Sequence, residues 1–255
     1  RAVSGFNRTL GGFLSRLNAQ AAFFVGCVNL HAGLSRLGVP LCFPEIFPEG
    51  VFEAEELSDV SLALKERRAP LGNEIRFTGK RLVLVTGPNQ GGKTTFLRSV
   101  GLAQVMAQAG MFVAAGRYTC PLFTGIHTHF PDGEDGTLRM GLLESELSKM
   151  AGIVGALRPG GLLLMNESFQ STMPSDASRL AEEITRALRD AGVVVVFVTH
   201  LYDYASVRCR EARPDELCLL AQRDGRGKNT YGIKEGEPFR SAHGMELFDE
   251  VMEGR

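Results

Sequence analysis

The stretch Leu82–Thr94, LVLVTGPNQGGKT, constrains this chain more than any other. An apolar run that ends in Thr86 and lacks polar alternation is the pattern of a strand buried on both faces. It runs directly into Gly87-Pro88-Asn89-Gln90-Gly91-Gly92-Lys93-Thr94, which fits the spacing Gly-x-x-x-x-Gly-Lys-Ser/Thr. Glycines let successive backbone N–H groups turn inward around a polyphosphate, and a helix opening beside Gly92 points its positive end at the same charge. Lys93 is placed to bridge β and γ phosphates, and the Thr94 hydroxyl to ligate Mg²⁺. Residues 87–94 and the adjoining Thr95 are therefore the candidate nucleotide contacts.

The remaining pattern alternates in the same register. Gly125–Phe130 reads as a strand, Leu138–Leu157 as a helix closed by Pro159-Gly160-Gly161, and Leu162–Met165 as a strand. Helix Asp176–Asp190 and strand Val193–Thr199 follow, then strands Glu216–Gln222 and Thr230–Lys234 around a polar turn, and a last helix over His243–Met252. Such alternation predicts an α/β layered fold with a largely parallel sheet flanked by helices. Ahead of it, Leu10, Leu14, Leu17, Ala21, Phe24 and Val28 recur at helical steps and predict a helix from Asn7 to Arg36. Pro40, Pro44 and Pro48 break that pattern, and residues 50–80 read as short strands and turns. The expected division is a helical segment at 1–38 and the α/β unit at 39–255.

Charge limits the function classes. With 28 Lys+Arg against 29 Asp+Glu, the net charge of −1 excludes a strongly basic nucleic-acid arm as the organising feature. The first 80 residues carry 9 basic and 8 acidic side chains, so the leading helix is no such arm either. No apolar run reaches the ~18–20 residues of a membrane span. Cys27, Cys42, Cys120, Cys209 and Cys218 are widely spaced and never C-x-x-C, which predicts reduced, mostly buried thiols and a cytoplasmic protein.

Two further strand ends carry chemistry. Leu162–Glu167, LLLMNE, supplies an apolar strand ending in a polar pair, with Asn166 where an Asp is expected to support the metal. Glu167 is placed as general base or water-orienting group. Val193–Thr199 delivers His200 at its carboxyl end, where ligands of open α/β sheets bind, as a candidate γ-phosphate sensor. His127 and His129 alternate on one strand face near Asp132 and Glu134. Four such residues are common in polar loops, so a metal site there is the weaker reading. Arg208, Arg210 and Arg213 lie near Glu211 and Asp215 and read as a solvated or salt-bridged turn.

Thr86–Thr95 (TGPNQGGKTT), Leu162–Thr172 (LLLMNESFQST) and Thr199-His200 together resemble the C-terminal ATPase domain of the MutS mismatch-repair family, related to ABC-type P-loop ATPases. Phe96–Ala109 and Ser241–Leu247 (SAHGMEL) extend the likeness. The resemblance implies a P-loop NTPase sheet with flanking helices, ATP and Mg²⁺ as cofactors, and a homodimer through the ATPase domain. It also implies DNA as a partner, contacted outside this chain, and makes residues 7–36 the end of the family's core or lever region. Members carry Asp-Glu where this chain has Asn166-Glu167. They complete each site with a serine from a partner loop, for which Thr137 is the candidate counterpart.

The resulting expectation is an ATP-hydrolysing domain of a MutS-like protein acting on mismatched or otherwise structured DNA. Lys93, Glu167 and His200 are its catalytic groups, and Thr94 and Asn166 its metal ligands. The alternative is a switch that binds ATP with negligible hydrolysis because Asn166 is uncharged. An ABC transporter or chromosome-structure ATPase ranks below both, since no L-S-G-G-Q-like stretch lies between Thr95 and Asn166.

Overall fold

The computed structural model describes residues 2–47, 50–131, 141–211 and 213–238. Among these the chain is mixed α/β, with six helices and ten strands in two sheets. The larger sheet contains β4 (Leu82–Thr86), β6 (Ile126–His129), β7 (Leu162–Asn166), β8 (Val194–Val198), β9 (Glu216–Arg223) and β10 (Asn229–Glu235). Their order is β10-β9-β4-β8-β7-β6, parallel throughout except for the β9–β10 hairpin.

Every residue of β4 and β7 is buried, including the polar Thr86 and Asn166 that end their apolar runs. Successive side chains point to opposite faces and feed two cores. Val83, Val85, Leu162, Leu164, Val196 and Val198 pack toward α3 (Lys93–Gln108). Leu82, Leu84, Leu163, Met165, Val195 and Phe197 pack toward α4 (Leu142–Ala156), α5 (Pro174–Asp190) and α6 (Tyr202–Glu211). In α5 the buried residues are Ala177, Ala181, Thr185 and Leu188, the one-sided stripe of a surface helix.

The smaller sheet, ordered β1-β5-β2-β3, joins β1 (Glu45–Ile46), β2 (Glu53–Leu57), β3 (Asn73–Arg76) and β5 (Arg117–Cys120) beyond α3. Phe52, Phe77, Tyr118 and Phe123 pack edge-to-face beneath it. The leading helix α1 runs from Ala2 to Arg36, about 50 Å at 1.5 Å per residue. Its carboxyl end is anchored by the fully buried Leu34 and by His31 against Phe112, whereas Leu10, Leu14, Leu17, Phe24 and Val28 are exposed.

The structure corrects several expectations. Residues 60–66 form a helix, α2 (Val60–Glu66), inside the region read as strands and turns. The Asp59 carboxylate caps it by accepting the Leu62 N–H at 3.0 Å, and Arg67 in the left-handed region ends it. The arginine cluster read as a turn falls largely on a helix, since α6 carries Arg208 and Arg210. Of the two readings of that cluster, the salt-bridged one holds for Arg208, which is buried and paired with Glu182, Glu211 and Glu216. The five thiols are not all reduced: α6 and β9 bring Cys209 and Cys218 together as a disulfide with Cα atoms 5.8 Å apart. Cys27, Cys42 and Cys120 are free, and only Cys120 is buried. Within the stretch read as helix from 138 to 157, α4 starts at Leu142. Thr137, Asp132, Glu134, Ser241–Leu247 and the helix expected at 243–252 lie outside the described residues. No helix among the described residues is long and apolar enough to cross a membrane.

Candidate functional site

The carboxyl ends of β4, β7 and β8 are neighbours in one sheet, so the three elements singled out in the sequence converge. Between β4 and α3 the chain bends through Gly87 (φ 121), Gln90 (φ 58) and Gly92 (φ 89). A Cβ on Gly87 would stand 2.9 Å from the Ala221 Cβ and 3.0 Å from its backbone nitrogen. Glycine is thus required there for both its conformation and the close approach to β9. Gly92 starts α3 without a side-chain cap, so the first amides of a sixteen-residue helix carry no internal acceptor.

Lys93 is buried, and its ammonium donates to the carbonyls of Gly87 at 2.9 Å and Pro88 at 2.7 Å. Burial pushes its pKa down to about 8, with the negative charge of Glu167 opposing that shift. Thr94, one residue on, donates its hydroxyl to Asn166 Oδ1 at 2.9 Å. Both are neutral hard oxygens, the donor chemistry Mg²⁺ takes. Glu167 Oε1 lies 3.0 Å from His200 Nε2, at the ends of adjacent strands. That hydrogen bond, with the nearby charges of His200 and Lys93, holds the Glu167 carboxyl below the ordinary glutamate range against the effect of burial.

Two clefts meet at Asn89 and Glu167. One, about 610 Å³, is lined by Gly91–Thr95, Leu62, Pro70, Leu71 and Tyr231. The other, about 580 Å³, is lined by Gln170, Thr172, His200 and Tyr202. An anion in the first cleft would meet uncapped helix amides and one ammonium, and a water in the second would meet a carboxylate and an imidazole. Gly87–Thr95, Asn166, Glu167 and His200 are therefore brought together.

His127 and His129 share a strand face, and no group of three or more His, Cys, Asp or Glu side chains that could hold a metal occurs among the described residues. His129 is buried, with Nδ1 2.7 Å from Ser168 Oγ.

Tyr231 escaped the sequence reading. It stands against Gly92, where a Cβ would lie 3.5 Å from its side chain, because Asn73 bonds both Tyr231 O and the Ile233 N–H. Asn229 likewise donates to Asn89 O at 3.2 Å. No local motif announces these contacts, since the hairpin returns to the loop only through sheet order.

The family model for MutS domain V matches residues 83–248, from β4 onward. The chain belongs to the MutS family. It is 30% identical over 178 residues to the endonuclease MutS2 of Carboxydothermus hydrogenoformans, covering 68% of this chain and 23% of that protein. It is 31% identical over 169 residues to the DNA mismatch repair protein MutS of Thermotoga sp. strain RQ2, covering 66% and 21% respectively. The corresponding protein of Thermus aquaticus is 30% identical over 166 residues, or 65% and 20%. The chain thus spans about a fifth of the length of these relatives.

Proposed function

We propose that residues 39–255 form a P-loop ATPase domain of the ABC/MutS type, that residues 1–38 end a core or lever region, and that the protein binds and hydrolyses ATP–Mg²⁺. The observation that carries this reading is the joint placement of Lys93, the Thr94–Asn166 pair and the Glu167–His200 pair around two clefts that share Glu167. The backbone from Gly87 to Thr95 holds the polyphosphate and Lys93 turns from its own loop carbonyls to the β and γ phosphates. Thr94 and Asn166 support the Mg²⁺, which when bound offsets phosphate charge. Tyr231 offers a ring to the base. Glu167 accepts the proton of the attacking water, and His200 both orients that carboxylate and contacts the γ-phosphate.

In this reading two copies pair through their ATPase domains, so that turnover drives a change in the dimer. The whole protein serves DNA mismatch repair or the recognition of another DNA structure in the cytoplasm, with DNA gripped by parts outside this chain. The relatives named DNA mismatch repair protein MutS support that assignment. A second reading is favoured by one residue: Asn166 gives the metal an amide oxygen where a carboxylate is usual, which suits a switch that binds ATP and hydrolyses it negligibly. Titration with a fluorescent ATP analogue, with and without Mg²⁺, tests the shared part of both. Binding that is lost in Lys93→Ala is the expected result. Absence of binding by the wild-type protein contradicts both readings.

A further inference from the structure

The chain passes twice through the left-handed region just after β7, at Glu167 (φ 51) and at Phe169 (φ 68). Both residues carry a Cβ that this region crowds, so the turn persists only because its surroundings hold it. The holding groups come from α4 and β6. Glu146 accepts the Phe169 N–H on Oε1 at 2.8 Å and the Ser171 O–H on Oε2 at 2.6 Å. Its own backbone carbonyl lies 3.4 Å from His129 Nε2, while His129 Nδ1 meets Ser168 Oγ. The fully buried Phe169 ring stacks on the His129 imidazole with centroids 5.9 Å apart.

Both carboxylate oxygens of Glu146 are therefore engaged with one short segment, the one that begins at Glu167. Glu146 lines neither cleft and reaches them only through that backbone. A solvated charge on a helix face would show no such paired acceptance from a backbone amide and a hydroxyl. We propose that Glu146 is a positioning residue, which locks the turn over residues 167–171 and so aims the Glu167 carboxylate between the two clefts. The inference deepens the reading of Glu167 as the base and rests on it.

The test uses the intact protein with Glu146→Ala and Glu146→Gln. Glutamine keeps a carbonyl oxygen for the Phe169 N–H and offers an amide donor to Ser171 Oγ, so it preserves the turn without the charge. The expected result is a kcat for ATP hydrolysis at least tenfold lower in the alanine variant, with KM within about threefold, and near wild-type kcat in the glutamine variant. Unchanged kcat in Glu146→Ala overturns the proposal. So does a glutamine variant as poor as alanine, or a loss that falls on KM instead of kcat.

Hydrogen–deuterium exchange across residues 167–171 reads the same turn without nucleotide. Exchange there should rise at least tenfold in Glu146→Ala while α3 stays protected, and unchanged exchange overturns the proposal. A wild-type protein that turns over no ATP sinks the role of Glu167 by itself, and exchange then decides whether Glu146 holds the turn.

Discussion

The Thr94 hydroxyl donates to Asn166 Oδ1 at 2.9 Å, joining the first turn of α3 to the end of β7. The contact sets two oxygens side by side where the proposed metal would sit, and neither bears charge. An added carboxylate there strengthens attraction to a divalent cation while still accepting from Thr94. Asn166→Asp should lower the Mg²⁺ concentration for half-maximal nucleotide binding by roughly tenfold, about 1.4 kcal/mol. Titration of Mg²⁺ at fixed nucleotide measures this, and an unmoved midpoint removes Asn166 from the metal site. A gain of turnover in the same variant, from none in wild type, favours the switch reading.

Lys93 gives the pH dependence. Its folded-state pKa of about 8 lies below the ordinary 10.5, because burial disfavours the ammonium. The unfolded chain then holds more protons across that window, so this group adds stability as pH rises from about 8 toward 10.5. Nucleotide binding runs the other way, since phosphate needs the charged form. Affinity should fall as pH rises above about 8, by at most about tenfold per unit for one proton, with proton uptake on binding. Calorimetry in buffers of different ionisation enthalpy checks it. A pH-independent affinity between 7 and 10 contradicts the assignment of Lys93 to phosphate.

Gly87 should tolerate no side chain. Alanine there must hold φ near 121 while its Cβ presses on the backbone nitrogen of Ala221. The expected cost is about 1–3 kcal/mol in urea denaturation, together with loss of nucleotide binding as the loop leaves β9. Wild-type stability and affinity in Gly87→Ala would show that the loop adapts freely.

The Cys209–Cys218 bond closes a short loop between α6 and β9. By loop-closure entropy it contributes about 2–3 kcal/mol. Peptide mapping of the oxidised protein should recover the linked pair, and Cys209→Ser should lower the denaturation midpoint to that of the reduced wild type. Equal midpoints in all three forms would leave the bond without a stabilising role.

The core of the site was legible because its chemistry is local in sequence. Gly87–Thr94 carries its meaning in eight consecutive residues, and Asn166-Glu167 and His200 end apolar runs that only a buried sheet explains. What stayed hidden depends on distant pairing. The Asp59 carboxylate that caps α2 also bonds Arg98 on α3, and α2 is too short for helical periodicity to declare itself. Cys209 and Cys218 meet only because α6 packs on β9, an element whose helical character the arginine-rich sequence concealed. Glu146 and Tyr231 reach the site through sheet order and helix placement, for which no spacing rule exists.

Glu167, held 3.0 Å from His200, is the proposed base of the ATPase, on which the hydrolysis reading depends. Steady-state ATP hydrolysis by the intact wild-type protein and by Glu167→Gln, at matched nucleotide occupancy, tests it most directly. Measurable wild-type turnover should fall by roughly a hundredfold or more in the variant while ATP binding is kept. Turnover that survives Glu167→Gln would contradict it.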